Sequence, residues 1–298
     1  MIEQIIVHTL VSGGVFAVLA IGFSLIFGVA RVLNMAHTAF FAVAAFGMFY
    51  LISPVLGPEL AVAPTIIIVV IIVGLLGMLA YKLFINPIRE HHAAVLLITI
   101  ALALIVQEIL LWRFGGQHRT IRFLVPGTVD IFGVTIANQN LLTLGVVAAT
   151  IVAVWLILSK TKLGIAIRAV ANDTEIAGLM GISASRVLMI TMGIASALAA
   201  IAGAVMAPLT TISPTMWSPP LTTILVCVII GGLGSIKGSI IGAFILGLVS
   251  ALSVVDPLAI LRGGGAYMNI TFTLAAMVIV LIARPSGLFG TIFEEEKL

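Results

Sequence analysis

The sequence predicts an all-α, polytopic membrane protein, a bundle of about eight or nine transmembrane helices. Hydrophobic residues occupy 62% of its 298 positions, and charged residues occupy only 8%. Soluble domains average about 45–50% apolar and roughly 25% charged residues. A chain this apolar cannot cover its surface with polar groups in water. Soluble, disordered, collagen-like and coiled-coil proteins are therefore excluded.

Nine apolar segments account for the predicted helices. Crossing a bilayer core of about 30 Å takes roughly 20 helical residues, and backbone groups cannot stay unpaired in lipid. The predicted spans are 5–30, 36–53, 61–85, 93–112, 140–158, 187–208, 220–235, 238–255 and 267–284. The pair 220–235 and 238–255 is short and rich in glycine, so two tilted helices and one re-entrant feature both stay open.

The basic residues predict the orientation of the bundle, with the N-terminus outside and the C-terminus in the cytoplasm. In this orientation the inner face receives Arg31, Lys82, Arg89, Lys160, Lys162, Arg168, Arg186, Lys237, Arg284 and Lys297. The outer face receives only Arg113, Arg119, Arg122 and Arg262. This excess fits the known preference of Lys and Arg for cytoplasmic loops. The net charge of +3 is too small to suggest a nucleic-acid partner.

Two segments of the predicted outer face have recognisable features. Segment 209–219 carries no charge, and its Trp217 is expected to anchor at the membrane interface. Segment 124–139 contains Pro126-Gly127 and Phe132-Gly133, which predict a small hairpin-like excursion.

The longest polar stretch between spans, 159–186, is predicted to be cytoplasmic. Asn172 followed by Glu175 resembles a capping box, so a short helix is expected over 173–180 with Gly181 at its C′ position. Such an amphipathic helix could dock into a groove of another protein. An ordinary loop helix resting on the lipid headgroups is the alternative that the residues leave open.

The pattern Glu175-x-Ala177-x-x-x-Gly181 resembles the EAA loop of ABC importer permeases. Five ordered blocks resemble, more narrowly, the branched-chain amino-acid branch of that family: 27–37, 86–89, 168–173, 231–238 and 284–290. Two positions depart from the family pattern. Thr38 stands where the family usually has glycine, and Ile176 replaces the second alanine of the EAA core.

The resemblance implies a permease subunit that moves substrate but does not itself hydrolyse ATP. Its partners would be two cytoplasmic ABC ATPases, a second permease subunit, an extracytoplasmic substrate-binding protein and the amino-acid substrate. The chain would lie in the plasma (inner) membrane of a prokaryote and need no cofactor. Residues matching the family's coupling region are Arg168, Asn172, Asp173, Glu175, Ala177, Gly178 and Gly181.

Segment 31–38 separates the first two spans and contains polar residues. Polar groups at membrane depth are costly and tend to be functional. The resemblance suggests that Asn34 and His37 line the translocation path. A short cytoplasmic turn with an interfacial Arg31 is the alternative.

Small residues recur at four-residue spacing and predict close helix packing. The glycines assigned to such packing are Gly203, Gly231, Gly232, Gly234, Gly238 and Gly242. The run 231–239 lacks the spacing of a nucleotide-binding loop. It is interpreted as the inner turn between two helices, with Lys237 at the headgroups.

Two other functions remain as alternatives to the amino-acid importer. An ABC permease for urea or short amides would share the same motifs. An ion-coupled secondary transporter acting alone would usually carry ionisable residues at the membrane midplane, and the predicted spans have almost none away from their ends. No catalytic or metal-ligating residue set is predicted.

Overall fold

The computed structural model describes residues 2–53, 61–131, 134–255, 265–284 and 287–289. Within these ranges the chain is mostly helical and contains one two-stranded antiparallel hairpin. Residues used in the sequence predictions that lie outside the described ranges are Phe132, Gly133, Arg262, Pro285, Ser286, Gly290 and Lys297.

Eleven α-helices occur in the described residues. They are α1 (Ile2–Ala30), α2 (His37–Ile52), α3 (Val62–Ala80), α4 (His92–Phe114), α5 (Asn138–Lys160), α6 (Lys162–Asn172), α7 (Thr174–Leu179), α8 (Ala184–Met206), α9 (Ser218–Gly231), α10 (Ile236–Val255) and α11 (Gly265–Ala283). A π-helical turn, Tyr81–Ile85, and a 3-10 turn, Asn86–Ile88, extend α3. The hairpin strands are β1 (Thr128–Ile131) and β2 (Val134–Ala137).

All nine predicted spans fall on helices. Five of them, formed by α1, α3 with its extension, α4, α5 and α8, are long and apolar enough to cross a membrane. The other four are α2, α9, α10 and α11. Segment 220–255 contains two separate helices, α9 and α10, joined by a tight turn, and whether they cross the bilayer or form one re-entrant feature stays a prediction. How many helices cross the bilayer, and in which direction, stays a prediction.

Helix α1 lies at the centre of the bundle. It packs against α5, α8, α9 and α10, while α8 also packs against α2 and α3. Most of α1 and α8 is buried, whereas α3, α4 and α5 are largely exposed. Their exposed side chains are large and apolar, as in Ile67, Leu104 and Trp155. The exposed apolar faces of these three helices suit contact with lipid rather than water.

The connection between α8 and α9 is fixed to the end of α4 at two points. The backbones of Arg119 and Ile212 exchange two hydrogen bonds, of 2.9 and 2.8 Å. The indole N–H of Trp217 donates to Oε1 of Gln107 at 2.7 Å, and Trp217 is only 9% exposed. The expectation that Trp217 anchors at the membrane interface is therefore wrong, because its polar atom already has a partner inside the protein.

The hairpin-like excursion expected at 124–139 is present in the described part of that segment. Strands β1 and β2 pair in antiparallel register, with Thr128 opposite Ala137. The hairpin leads directly into α5. It packs near the first half of α1 through β2.

Glycines allow the helices around α10 to approach closely. A Cβ added at Gly238 would collide with the carbonyl oxygen of Gly231, and one at Gly242 would collide with that of Cys227. Gly203 on α8 faces the carbonyl oxygen of Phe41 on α2 in the same way. Two further glycines, Gly232 and Gly234, have φ values of 100° and 82° and form the turn between α9 and α10.

Candidate functional site

Helix α6 follows α5 almost without interruption and was not predicted as a separate element. Its N-cap is Thr161, whose hydroxyl accepts a hydrogen bond from the amide of Gly164 at 3.1 Å. Ile167 and Val170 are buried on one face, while Ile165 and Arg168 are exposed. The sequence predicts only the short helix over 173–180, from the spacing of Asn172 and Glu175.

Helix α7 is capped by Asp173 and not, as the sequence predicts, by Asn172. The carboxylate Oδ1 of Asp173 accepts hydrogen bonds from the amides of Glu175, at 2.8 Å, and Ile176, at 2.9 Å. Asn172 is instead the last residue of α6. Aspartate and asparagine are equally good caps, but only Asp173 has the extended backbone that a cap requires. Glu175 thus lies at N2, so the expected capping box does not form.

The C-terminal end of α7 is closed by Gly181. This glycine has a φ of 80°, a conformation that residues with a Cβ rarely adopt. The amide of Gly181 donates to the carbonyl of Gly178, and the amide of Ile182 donates to that of Ala177, both at 3.0 Å. This is the Schellman arrangement, which satisfies carbonyl groups at the end of a helix. Both ends of a helix of only six residues are therefore fixed.

An apolar surface stands exposed on this short helix. Ile176 is 57% exposed, Leu179 is 87% exposed and Met180, which follows the helix, is 78% exposed. Ala177 is buried and packs α7 onto the rest of the chain. We call Ile176, Leu179 and Met180 the α7 apolar patch. A patch that protrudes on a capped helix, next to exposed Asp173 and Glu175, has the form of a docking element.

The predicted coupling residues do not all lie on this surface. Asp173, Glu175 and Gly178 are exposed on or beside α7. Arg168 lies on α6, where its guanidinium donates to the carbonyl of Leu158 near the end of α5.

Asn34 and His37, predicted to line the path, are buried inside the chain. Asn34 is 1% exposed; its Oδ1 accepts from the amide of Ala36 at 3.1 Å, and its Nδ2 donates to the sulfur of Met192 at 3.4 Å. The Nε2 of His37 lies 3.1 Å from the carbonyl oxygen of Leu19, in the middle of α1. Both side chains thus fix the start of α2 against α1 and α8. Whether the non-helical segment 31–36 is a cytoplasmic turn stays a prediction.

A cavity of about 450 Å³ opens between α1, α2, α9 and α10. Its apolar wall includes Val15, Leu19, Phe41 and Leu246. Its hydroxyl groups come from Thr210, Thr211, Ser213, Thr222, Thr223, Ser250 and Thr273. None of the described residues lining it is charged. An apolar cavity with a few hydroxyl groups suits a small molecule that has an aliphatic part and no net charge.

Sequence reasoning missed this cavity, although a signal was available. Its hydroxyl groups come largely from 209–219, a segment dense in Thr, Ser and Pro that was interpreted as an outer loop, and from the start of the predicted span 220–235. A second cavity of about 550 Å³ adjoins it, lined by polar residues including Gln4, His8 and Asn140. Phe16 and Met206 line both cavities.

Helix α8 connects the two features directly. The α7 apolar patch precedes its first residue, Ala184, by a few positions, and the cavity between α1, α2, α9 and α10 reaches its last residue, Met206. With a rise of 1.5 Å per residue, 23 residues extend about 35 Å. A displacement of α7 can thus reach the cavity wall through one rigid element.

Comparisons with known proteins agree on one family. Residues 5–282 match the family model described as the branched-chain amino acid transport system / permease component. The chain is 26% identical to the high-affinity branched-chain amino acid transport system permease protein LivH of Salmonella typhimurium, over 93% of this chain and 92% of that protein. It is 24% identical to BraD, the corresponding permease of Pseudomonas aeruginosa, over 96% and 95% of the two chains.

One further relative and one solved structure are also similar over nearly their whole length. The probable LivH of Methanocaldococcus jannaschii is 26% identical, over 99% of this chain and 95% of that protein. Among solved structures, PsaBC from Streptococcus pneumoniae in complex with Fab superimposes with a TM-score of 0.46 at 14% identity, covering 94% of this chain and 90% of that one.

Proposed function

Because the chain belongs to the branched-chain amino acid transport permease family, we propose that it is the membrane-spanning subunit of an ATP-driven importer of branched-chain amino acids. Its partners are two cytoplasmic ABC ATPases, a second permease subunit and an extracytoplasmic binding protein that delivers the substrate. The assembly lies in the plasma membrane of a prokaryote, with α6 and α7 on the cytoplasmic side.

The α7 apolar patch carries this proposal. Leu179 and Met180 expose most of their surface. If α7 served only to join two spans, these apolar side chains could instead pack against the bundle. The caps at Asp173 and Gly181 keep the patch in one conformation, so docking costs little conformational entropy. A rigid apolar protrusion fits the groove of an ATPase subunit. Asn172, Asp173 and Glu175 then supply the polar rim.

Nucleotide binding in the ATPases would act on the transport path through α8. Closure of the two ATPases displaces α7, and α8 carries the displacement to Met206 at the cavity. The two nucleotide states then favour different packings of the bundle, which is alternating access. Close glycine contacts between α9 and α10 let these helices move against each other without opening voids.

The cavity favours an aliphatic substrate over urea or a short amide. Val15, Leu19, Phe41 and Leu246 present an apolar wall that would match a branched side chain, whereas urea has no apolar part to place there. Threonine and serine hydroxyls can accept from an ammonium group and donate to a carboxylate. We assign the cavity, rather than Asn34 and His37, to the path, and these two residues position α2.

Co-purification of the ATPase tests the docking role. Glu175→Lys reverses a charge beside the patch, and replacing Gly181 with leucine forces a side chain into a left-handed conformation. Both variants should insert normally and lose the ATPase. Gly145→Ala, at an exposed position of α5 with open space around it, is the control. Normal ATPase recovery with both α7 variants would contradict the proposal.

A further inference from the structure

A groove separates α5 from α10 above a buried part of α1. Its volume is about 380 Å³, and its floor is Ile21 of α1. Val152 and Trp155 of α5 form one wall, and Ile240 of α10 forms the other. From Val152 to Ser159 the groove follows α5 for about 10 Å, at 1.5 Å per helical residue. This is an apolar slot parallel to the helices, open toward the bilayer.

Two cationic side chains stand at one end of this groove. Arg168 of α6 and Lys237 of α10 both line it, together with Ser159 at the end of α5. None of the described residues lining the groove is acidic. Lys237 lies in the first turn of α10, where the helix dipole adds positive potential. The Arg168 guanidinium is held at this end by its hydrogen bond to the carbonyl of Leu158.

We propose that this groove binds one anionic phospholipid, with an acyl chain along Ile21 and Ile240 and the phosphate between Arg168 and Lys237. Apolar lining at membrane depth and paired cations at the end of the spans match the two parts of such a lipid. The groove and the two cations lie toward the same end of α5. The lipid assignment therefore holds whichever leaflet that end of α5 lies in.

The chemistry of the groove disfavours the other occupants. A soluble ATPase subunit could meet Arg168 and Lys237 but could not enter the slot between Val152 and Ile240, which lies at membrane depth. A zwitterionic phospholipid could fill the slot, but its own headgroup cation already balances its phosphate, so it would neutralise Arg168 and Lys237 less well. A second copy of the chain would have to insert an acidic residue there. The anionic lipid alone satisfies both parts.

Lipid titration of the purified permease in detergent tests the charge part of the site. Phosphatidylglycerol should bind more tightly than phosphatidylcholine, with each cation contributing about fivefold to that preference. Lys237→Gln should reduce the preference about fivefold, and Arg168→Gln combined with Lys237→Gln should abolish it. Arg186→Gln removes an exposed cation at the same end of the bundle, outside the groove, and should leave the preference unchanged.

A second pair of variants tests the apolar part. Ile240→Trp fills the slot and should weaken phosphatidylglycerol binding, whereas Ile241→Trp, on the exposed side of the same helix, should not. Glycerol phosphate, which lacks acyl chains, should compete only at far higher concentration.

Several results would overturn the lipid site. One is equal binding of phosphatidylglycerol and phosphatidylcholine, and another is an equal effect of Lys237→Gln and Arg186→Gln on the lipid preference. The others are equal effects of the two tryptophan variants on binding, and competition by glycerol phosphate at the same concentration as the phospholipid. Dimerisation that is blocked by Ile240→Trp in the absence of lipid would assign the groove to a second copy instead. The measurements concern the isolated permease, so their failure leaves the transport proposal untouched.

Discussion

The indole N–H of Trp217 and the amide oxygen of Gln107, 110 residues apart in the sequence, are joined by a hydrogen bond of 2.7 Å. Trp217 is the residue just before α9, and Gln107 lies in the second half of α4. Met216 and Pro219, on either side of Trp217, line the cavity between α1, α2, α9 and α10. The bond therefore fixes one wall of the cavity to a helix that does not itself line it.

Trp217→Phe should loosen this wall. The change keeps an aromatic ring but removes the donor and leaves the Gln107 oxygen unpaired, which costs about 1 kcal/mol or slightly more. We expect a lower midpoint of thermal unfolding in detergent and slower transport. Trp112→Phe, at an exposed position of α4, is the matched control and should change neither. In a double-mutant cycle, Trp217→Phe and Gln107→Leu should be non-additive; full additivity would mean that the bond contributes nothing.

Asp173→Ala should weaken α7 more than Asn172→Ala does. Asp173 accepts two amide hydrogen bonds, and loss of an N-cap costs about 1 kcal/mol, a large amount for a helix of six residues. Asn172→Ala removes no cap. Hydrogen exchange of 174–179 should become faster only in Asp173→Ala, and Asp173→Ser should restore protection. Faster exchange in Asn172→Ala than in Asp173→Ala would return the cap to Asn172, and equal exchange would mean that Asp173 is not the cap.

The cap illustrates what periodicity and motif could and could not predict. The helix over 173–180 and its glycine end followed from local sequence, because capping depends on residues a few positions apart. The choice between Asn172 and Asp173 depended on where α6 ends, and that is set by how Ile167 and Val170 pack on the bundle. All nine apolar spans could be located from the sequence for the related reason that lipid forces apolar segments to be helical.

Long-range contacts explain the other differences. Nothing near Trp217 in the sequence reveals that Gln107 is its partner, so an interfacial anchor was the reasonable expectation. Asn34 and His37 were expected to line the path because polar groups at membrane depth tend to be functional and because the family resemblance suggested it. Their partners, Met192 and Leu19, belong to other helices and bury them. The cavity is formed by segments distant in sequence and left no periodic signal.

Gly238→Ala should disrupt the contact between α9 and α10. Its new Cβ would collide with the carbonyl of Gly231, a backbone atom that cannot rotate away, so the helices would have to separate. Overpacking of this kind costs about 1–3 kcal/mol. Gly145→Ala is the control, since nothing lies near the added methyl group and alanine is the better helix former. The measurement is the midpoint of thermal unfolding in detergent, which should fall for Gly238→Ala and stay the same or rise for Gly145→Ala. A lower midpoint for Gly145→Ala than for Gly238→Ala would contradict the close packing of α9 and α10.

Thr222→Phe should obstruct the cavity between α1, α2, α9 and α10 without affecting assembly. Thr222 is partly exposed and lines the cavity near its hydroxyl cluster, so a phenyl ring there would occupy much of a volume of about 450 Å³. Uptake of leucine by the complete transporter in proteoliposomes should fall at least tenfold, whereas the ATPase should still co-purify. Leu248→Phe adds a ring on an exposed part of α10 and should leave uptake unchanged.

The two measurements on Thr222→Phe separate the cavity from the docking helix. If uptake stays normal while the ring is in place, the cavity does not belong to the path. If the ATPase is lost as well, the variant has changed the fold, and the smaller Thr222→Val should then be used. That variant removes only the hydroxyl, so it should lower uptake less and leave ATPase binding intact. An unchanged uptake with Thr222→Val, combined with blocked uptake in Thr222→Phe, would mean that this cavity wall acts by its shape and not through the Thr222 hydroxyl.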